Sequence, residues 1–288
     1  MCASSQRHWQ RMRLPKISIV TPSYQQAAFL RHTLDSILEQ QYPDLELIVI
    51  DGGSTDGSVD ILRAYEPHLT YWESAPDRGQ AHAINKGLAR ASGAVLTWLN
   101  SDDVLLPGAL AAVGEVFATY PPIEWLTGQP ANLGSDGVLR TTPLKTGRFR
   151  GLIRRGWYHG RALGFIRQEG TFWRRELWER AGGQLDEALH YALDADLWRR
   201  FAQHADLVSL DRPLAAYREH PTQKTAQIDR YYAELGVRLP HAARWIALPL
   251  RAAFTWAAWP LSPRVIWTGS SWRYHPGRRS AKHPPIAG

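Results

Sequence analysis

The sequence predicts an α/β fold, a parallel sheet with helices on both faces. Three observations point there. Apolar, β-branched runs alternate with helical stripes through the first hundred residues. The connections between them are short. Each run ends in a polar loop built from Pro, Ser, Gly, Asn or Asp. Strand–helix–strand order with short loops is the signature of parallel strands joined by crossover helices.

The elements follow in order. ISIVT at 17–21 reads as a buried strand, ended by Pro22-Ser23. In 28–40 the residues Phe29, Leu30, Thr33, Leu34, Ile37 and Leu38 share one helical stripe. LELIVI at 45–50 is a second strand, followed by the tight loop Asp51-Gly52-Gly53-Ser54 and a helix from 56 to 65. A short strand at 69–73, a helix at 79–91 and a strand at 94–99 complete the unit. Beyond it, a helix at 107–120, a strand pair in 125–144 around the turn 134–137, helices at 176–181 and 194–204, and an extended run at 207–217 are expected.

Ligands of open α/β sheets bind beyond the carboxyl ends of the strands. Here those ends carry Pro22-Ser23, Asp51-Gly52-Gly53 and Asn100-Ser101-Asp102-Asp103, which should meet in one crevice. The adjacent carboxylates Asp102 and Asp103 repel each other and call for water or a cation nearby. A hard divalent cation with oxygen ligands, which usually also holds substrate phosphates, would satisfy them. Capping of the helix that Pro107 helps to start is the alternative use of these acids.

Composition narrows the function classes. The chain has 288 residues, 44% hydrophobic, enough for a substantial core. The lone Cys2 excludes an internal disulfide framework and a cysteine-based zinc site. The polar, basic start has no apolar segment of a secretory signal. The net charge of +7 resides in the C-terminal part. Eight Lys and Arg and no acid follow Glu234, which leaves 26 basic against 27 acidic residues before it. A nucleic-acid-binding body would carry a basic excess of its own, so no nucleic-acid partner is expected. No G-x-G-x-x-G follows the first strand, against a dinucleotide oxidoreductase. Pro22–Ala28 has neither Gly nor Lys, against a nucleotidyltransferase triphosphate loop.

Four strings occur in order at the predicted loops: PSYQQ at 22–26, VIDGGSTDGS at 49–58, PDRGQAHAINKGLARASG at 76–93 and LNSDD at 99–103. With QEGTFWRRELWERAGG at 168–183, LDEALHYALDADLWRRFA at 185–202 and YREH at 217–220, they closely resemble the family 2 glycosyltransferases over residues 16–230. The resemblance implies a GT-A fold with a mixed central sheet. It implies a domain at 16–235, divided into a nucleotide-sugar half (16–106) and an acceptor and catalytic-base half (107–235), with a basic aromatic extension at 236–288.

The implied activity is inverting, metal-dependent transfer of a sugar from a nucleoside diphosphate sugar, UDP-linked by expectation, to a saccharide or lipid-linked hydroxyl in surface polysaccharide synthesis. The implied donor-binding residues are Pro22, Ser23, Tyr24, Asp51, Gly53, Asp77, Arg78, Asn85, Lys86 and Asp102. Gly52 stands where many members carry a second acid. Asn100-Ser101-Asp102-Asp103 matches the DxD-type signature with Asn in its first acidic place. Asp103 and His220 are the implied ligands of Mn²⁺ or Mg²⁺. Asp194 is the implied general base, ahead of Asp196, with Leu193 where an acid is usual. Gln168 and Glu169 are expected at the acceptor pocket, and Trp173 and Trp198 fit either the core or a sugar platform. The arginines at 148–167 fit a phosphate grip or a solvated face.

The tail mixes Trp245, Trp256, Trp259, Trp267 and Trp272 with arginines. It is a poor transmembrane span. It suits the headgroups of an anionic membrane, or packing on the body. The expected location is cytoplasmic, peripheral on the inner face of the plasma membrane. The competing reading is a non-catalytic GT-A-like binding protein, docked to membrane or partner through the tail.

Overall fold

A computed structural model describes residues 13–141, 147–221, 223–236, 253–254 and 257–277. The first half runs β1 (Ile17–Ser23), α1 (Ala27–Leu38), β2 (Leu45–Asp51), α2 (Ser58–Tyr65), β3 (Tyr71–Ser74), α3 (Gln80–Arg90) and β4 (Val95–Trp98). Then come β5 (Val104–Leu105), α4 (Ala109–Thr119), β6 (Trp125–Thr127), β7 (Ala131–Leu133), β8 (Leu139–Thr141), α5 (Arg150–Arg154), β9 (Thr171–Arg174) and α6 (Arg175–Arg180). The chain continues with α7 (Leu193–His204), β10 (Leu207–Leu210), β11 (Ala215–Arg218), α8 (Ile228–Glu234), β12 (Arg264–Trp267) and β13 (Trp272–His275).

A nine-stranded sheet has the order β13-β12-β10-β6-β9-β4-β1-β2-β3. Strands β1 to β4 are mutually parallel, as their crossover helices require. Strand β9 is antiparallel to both β4 and β6, so the sheet is mixed. A smaller sheet, β5-β11-β7-β8, lies beside the site. The expected run at 207–217 thus divides between the two sheets.

Both faces of the large sheet are buried, which explains why the apolar residues of β1 and β2 point to both sides. Ile17, Ile19, Leu47 and Val49 face one core with Leu30, Leu34 and Ile37 of α1. Val20, Ile48 and Ile50 face the other with α3 and α7. In α7 the residues Leu193, Leu197, Trp198, Phe201 and Ala202 are the buried stripe. Each such leucine, fully buried, stabilises the fold by about 2 kcal/mol. Trp173 and Trp198 belong to this second core. Trp98 stacks on Trp198 with ring centroids at 6.1 Å, and Trp173 meets Trp98 edge-on at 5.5 Å. Neither is a sugar platform.

The tail departs from the expected boundary at 236. Strand β12 pairs in parallel with β10, and β13 closes an antiparallel hairpin on it. Residues 264–275 are therefore strands of the central sheet. The physical reason is edge protection: without the hairpin, β10 would present open backbone groups. Trp272 is tied to α4 through Nε1 donating to Glu115 Oε2 at 2.8 Å, and Tyr120 donates to the Trp272 carbonyl at 2.6 Å. Arg238, Arg244, Arg251, Trp245 and Trp256 lie outside the described residues. Among the described residues no helix is long and apolar enough to cross a membrane.

Candidate active site

The carboxyl ends of β1, β2 and β3 are level. Ser23 pairs with Asp51, and Asp51 with Ser74. The loops beyond them, with the loop after β4, open into a cavity of about 680 Å³. Pro22, Ser23, Tyr24, Asp77, Asp102, Asp103 and Asp194 all line it, together with Gln168 and Glu169. The two halves of the chain meet there.

Asp51 does not reach the cavity. It is fully buried, and its carboxylate is saturated by its own loop. Oδ2 accepts from the Gly53 and Ser54 backbone N–H at 3.1 and 2.8 Å and from Ser74 Oγ at 2.6 Å. Oδ1 accepts from Ser54 Oγ at 2.6 Å. Ser54 Oγ in turn accepts from the Gln25 backbone N–H at 2.8 Å, which fixes the loop that carries Pro22 to Tyr24. The Asp51 carboxylate shapes the loops after β1 and β2 and does not face the cavity. Gly53 serves the same turn from the left-handed region, at φ +84°. At Gly52 a Cβ would fall 3.0 Å from Asp77 Oδ2 and 3.2 Å from the Tyr24 ring, so the glycine keeps the entrance open.

Arg78, Asn85 and Lys86 are not brought to the cavity either. Arg78 pairs with Glu187 at 2.6 Å. Asn85 receives the Leu185 N–H at 2.7 Å and donates to the Leu185 carbonyl at 3.0 Å. Lys86 pairs with Glu73. Only the first turn of α3 faces the site, through Gln80 and Ala83. Residues 85 and 86 lie further along the helix and join it to neighbouring elements.

The loop after β4 is held from two sides. Thr33 Oγ1 on α1 donates to the Ser101 and Asp103 carbonyls at 2.9 and 2.7 Å. Arg218 on β11 gives its backbone N–H to Asp103 Oδ1 at 3.0 Å and its Nε to the Asp102 carbonyl at 2.7 Å. Asn100 Nδ2 donates to Asp103 Oδ2 at 3.2 Å. Burial pushes the Asp103 carboxyl well above its usual range, and the charges of Asp102 and Glu169 add to the effect. His220, at the end of β11, sets Nε2 at 3.0 Å from Asp102 Oδ2, not against Asp103.

Asp194 enters from the first turn of α7. The segment before it is fixed by Glu234 of α8, whose carboxylate accepts the backbone N–H groups of His190, Tyr191 and Ala192 at 3.0, 2.8 and 2.8 Å. Burial raises Asp194 to about 7, with the nearby Glu169 charge contributing. A carboxyl poised near neutrality suits proton abstraction. Asp196 instead pairs with Arg200 at 2.9 Å one helical turn on. Glu169 is buried, and its Oε1 accepts no hydrogen bond among the described residues.

The 148–167 arginines are mostly structural. Arg148 is buried, and Arg150 donates to the Ala202 and Gln203 carbonyls at 2.8 and 2.5 Å. Arg161 pairs with Asp229 at 2.7 Å, while Arg167 stacks over Tyr217 and donates to Asn132. Arg154 and Arg155 remain exposed beside the exposed Trp157.

Sequence reasoning missed Gln80 and Lys224. Lys224 Nζ donates to Gln80 Oε1 at 2.7 Å, and Gln80 Nε2 donates to Asn100 Oδ1 at 2.6 Å. Gln80 lies within the string at 76–93 but takes no role from it, and no local pattern marks Lys224, because their partners are remote in the chain.

A parallel nucleotide-type half, a second half joined through a mixed sheet, and acids at the meeting point define a GT-A fold. Residues 18–155 match the sequence profile of glycosyl transferase family 2. An uncharacterized glycosyltransferase of Mycobacterium tuberculosis is 36% identical over 139 residues, 47% of this chain and 53% of that one. The putative teichuronic acid biosynthesis glycosyltransferase TuaG of Bacillus subtilis is 42% identical over 94 residues, 31% of this chain and 36% of its own. The chain spans about half the length of the first of these relatives and less of the second. Among solved structures, S. aureus TarS 1–349 in complex with UDP-GlcNAc superposes with a TM-score of 0.60 at 18% identity, covering 83% of this chain and 72% of that one. The mannosyltransferase PcManGT from Pyrobaculum calidifontis, in complex with GDP-Man and Mn²⁺, gives 0.55 at 22% identity, with 88% and 80% covered. These likenesses establish the fold.

Proposed function

We propose that the chain is an inverting glycosyltransferase acting on a nucleoside diphosphate sugar and a hydroxyl acceptor, in the synthesis of a surface polysaccharide or glycolipid. The observation that carries this reading is that Asp102 and Asp103 from one half and Asp194 from the other line the same cavity. Their separation between the loop after β4 and the first turn of α7 gives the two tasks of the reaction, donor binding and proton removal, to different sides.

The acceptor hydroxyl attacks the anomeric carbon from the face opposite the diphosphate. The new carbon–oxygen bond forms as the bond to the phosphate oxygen breaks, and its electron pair leaves with the nucleoside diphosphate. Asp194 takes the hydroxyl proton. Pro22, Ser23, Tyr24, Gly53 and Asp77 hold or shape the nucleoside end, with Asp51 behind them. UDP sugars are the donors to try first, since the TarS neighbour carries one.

The acid cluster fits a divalent cation. Asp103 is pushed up by burial and by the neighbouring charges of Asp102 and Glu169, a state a bound cation would relieve. Asp102 and Asp103 would hold Mn²⁺ or Mg²⁺, with His220 set against Asp102. Among the described residues no three acids or histidines converge as a complete cage. Such ions often take one or two carboxylates and fill the remaining places with phosphate and water. When bound, the ion would neutralise charge on the diphosphate.

Docking to an anionic membrane is the second part of the proposal. Trp157, 51% exposed, stands beside the exposed Arg154 and Arg155, and aromatic rings with arginines suit headgroups. Co-sedimentation with phosphatidylglycerol vesicles, lost in a Trp157→Ala/Arg154→Ala/Arg155→Ala variant, is the expected result.

The activity is tested by incubating the protein with Mn²⁺ and a panel of nucleotide sugars and following anomeric protons by NMR. Release of free sugar, with water as acceptor, in the inverted configuration is expected. A retained configuration would overturn the mechanism.

A further inference from the structure

The cavity is acidic for a site that must receive a diphosphate. Its lining includes five carboxylates, Asp77, Asp102, Asp103, Glu169 and Asp194, and two cationic side chains, Arg167 and Lys224. The two cations differ in what occupies them. The Arg167 guanidinium lies over the Tyr217 ring at 5.0 Å, donates to Asn132 Oδ1 at 2.9 Å and sits 4.0 Å from Glu169. It is held in place by a ring, an amide and an acid. The Lys224 ammonium donates to two neutral acceptors, Gln80 Oε1 at 2.7 Å and the His190 carbonyl at 3.2 Å. No carboxylate pairs with it among the described residues. An ammonium has three N–H donors, so one is left for a ligand.

Its location is equally specific. The acidic charges that act on it are Glu234 of α8 first, then Asp102 and Asp77 of the loops after β4 and β3. Through Gln80 and Asn100 it is connected to Asp103 by an unbroken chain of side-chain hydrogen bonds of 2.7, 2.6 and 3.2 Å. Lys224 also lies four residues after His220, whose backbone N–H donates to Gln223 Oε1 at 3.2 Å. One short segment thus carries both the imidazole at Asp102 and the ammonium at Gln80.

Resting on the glycosyltransferase reading above, we propose that Lys224 is a ligand of the donor's diphosphate and stabilises the charge that develops there as the glycosyl bond breaks. A phosphate oxygen takes the third N–H, or replaces one of the two neutral acceptors. A charge-assisted contact of this kind is worth more than the neutral bonds it replaces. The Gln80 amide, released or re-aimed, reports donor arrival to Asn100 and Asp103.

The test compares nucleoside diphosphates with their monophosphates by calorimetry, with Mn²⁺ present, on the full chain. Wild type, Lys224→Met and Lys224→Arg are titrated, with thermal melts as a control for folding. The expected result is that one diphosphate binds wild type more tightly than its monophosphate. Lys224→Met weakens the diphosphate by about tenfold and the monophosphate by less than about twofold. Lys224→Arg keeps most of the difference. If Lys224→Met weakens both ligands alike, or neither, the proposal is overturned while the donor site stands. If wild type does not distinguish the two, the second phosphate has no partner here and the proposal also fails. If wild type binds no nucleotide at all, the donor-site reading itself is wrong and Lys224 falls with it.

Discussion

The His220 imidazole and the Asp102 carboxylate meet at 3.0 Å, Nε2 to Oδ2, across 118 residues of chain. The contact joins the end of β11 to the loop after β4. Two residues earlier, the Arg218 backbone N–H closes on Asp103. The acidic loop is thereby held by the second half of the protein, and its geometry depends on the closure of both halves. Phe29 supports the imidazole from α1, with ring centroids at 4.5 Å.

Replacing His220 with Ala should therefore loosen Asp102 without unfolding the chain. Metal-dependent nucleotide binding is expected to weaken by about 10- to 100-fold, in the range of groups that orient metal ligands. Calorimetry with and without Mn²⁺ measures it. An unchanged affinity would show that the contact is incidental.

Asp194 gives a prediction with a sign in pH. As a base it must be deprotonated, so kcat/KM should rise with pH and level off above about 7. Asp194→Asn should lose about 10²- to 10⁴-fold in turnover. Stability runs the other way. A carboxyl whose folded pKa is raised above its unfolded value favours the fold at low pH. That contribution declines from about pH 4 upward and is gone above about 7. Asp194→Asn should then melt higher than wild type at pH 8, with a smaller gain at pH 5. Equal melting shifts at both values would contradict the assigned burial.

Asp51 should behave as a structural residue. Removing the carboxylate leaves four donors, two of them buried and two partly buried, without an acceptor, at a cost of roughly 3 kcal/mol. Urea melts of Asp51→Ala should show that loss. A variant of undiminished stability with an altered preference among bases would instead restore the base-reading role.

The C-terminal hairpin should be needed for the body. Trp272→Ala removes the contact to Glu115 and part of the packing on α4, and should cost about 2 kcal/mol. Deletion from residue 264 onward should destabilise further by baring β10. For this reason membrane binding is better tested at Trp157 than by truncation.

Much of the first half was legible in the sequence because its signals are local. The apolar, β-branched runs of β1 and β2, buried on both faces, and the stripe of α1 each identify an element without reference to the rest. The converging loops followed from parallel topology. The second half was legible at α4, at the turn between β7 and β8, at α6 and at α7, where Leu193, Leu197 and Phe201 keep helical spacing. The antiparallel insertion of β9 and the hairpin β12–β13 were not, since pairing of distant strands leaves no local pattern. The tryptophans of the hairpin suggested a membrane surface, yet Trp272 packs on α4. At the site, strand-end loops pointed to Asp102 and Asp103, and the family resemblance to Asp194, and all three line one cavity. It misplaced Asn85 and Lys86, whose helix turns them away, and passed over Lys224, whose meaning comes from Gln80, 144 residues distant.

The most direct test of the central claim is a calorimetric titration of the protein with UDP, GDP, ADP, CDP and TDP, with and without Mn²⁺, beside Asp103→Asn. The account predicts that one diphosphate binds wild type, that Mn²⁺ strengthens the binding, and that Asp103→Asn loses the metal-dependent part. Binding that ignores both Mn²⁺ and Asp103, or no binding to any nucleotide, would contradict it.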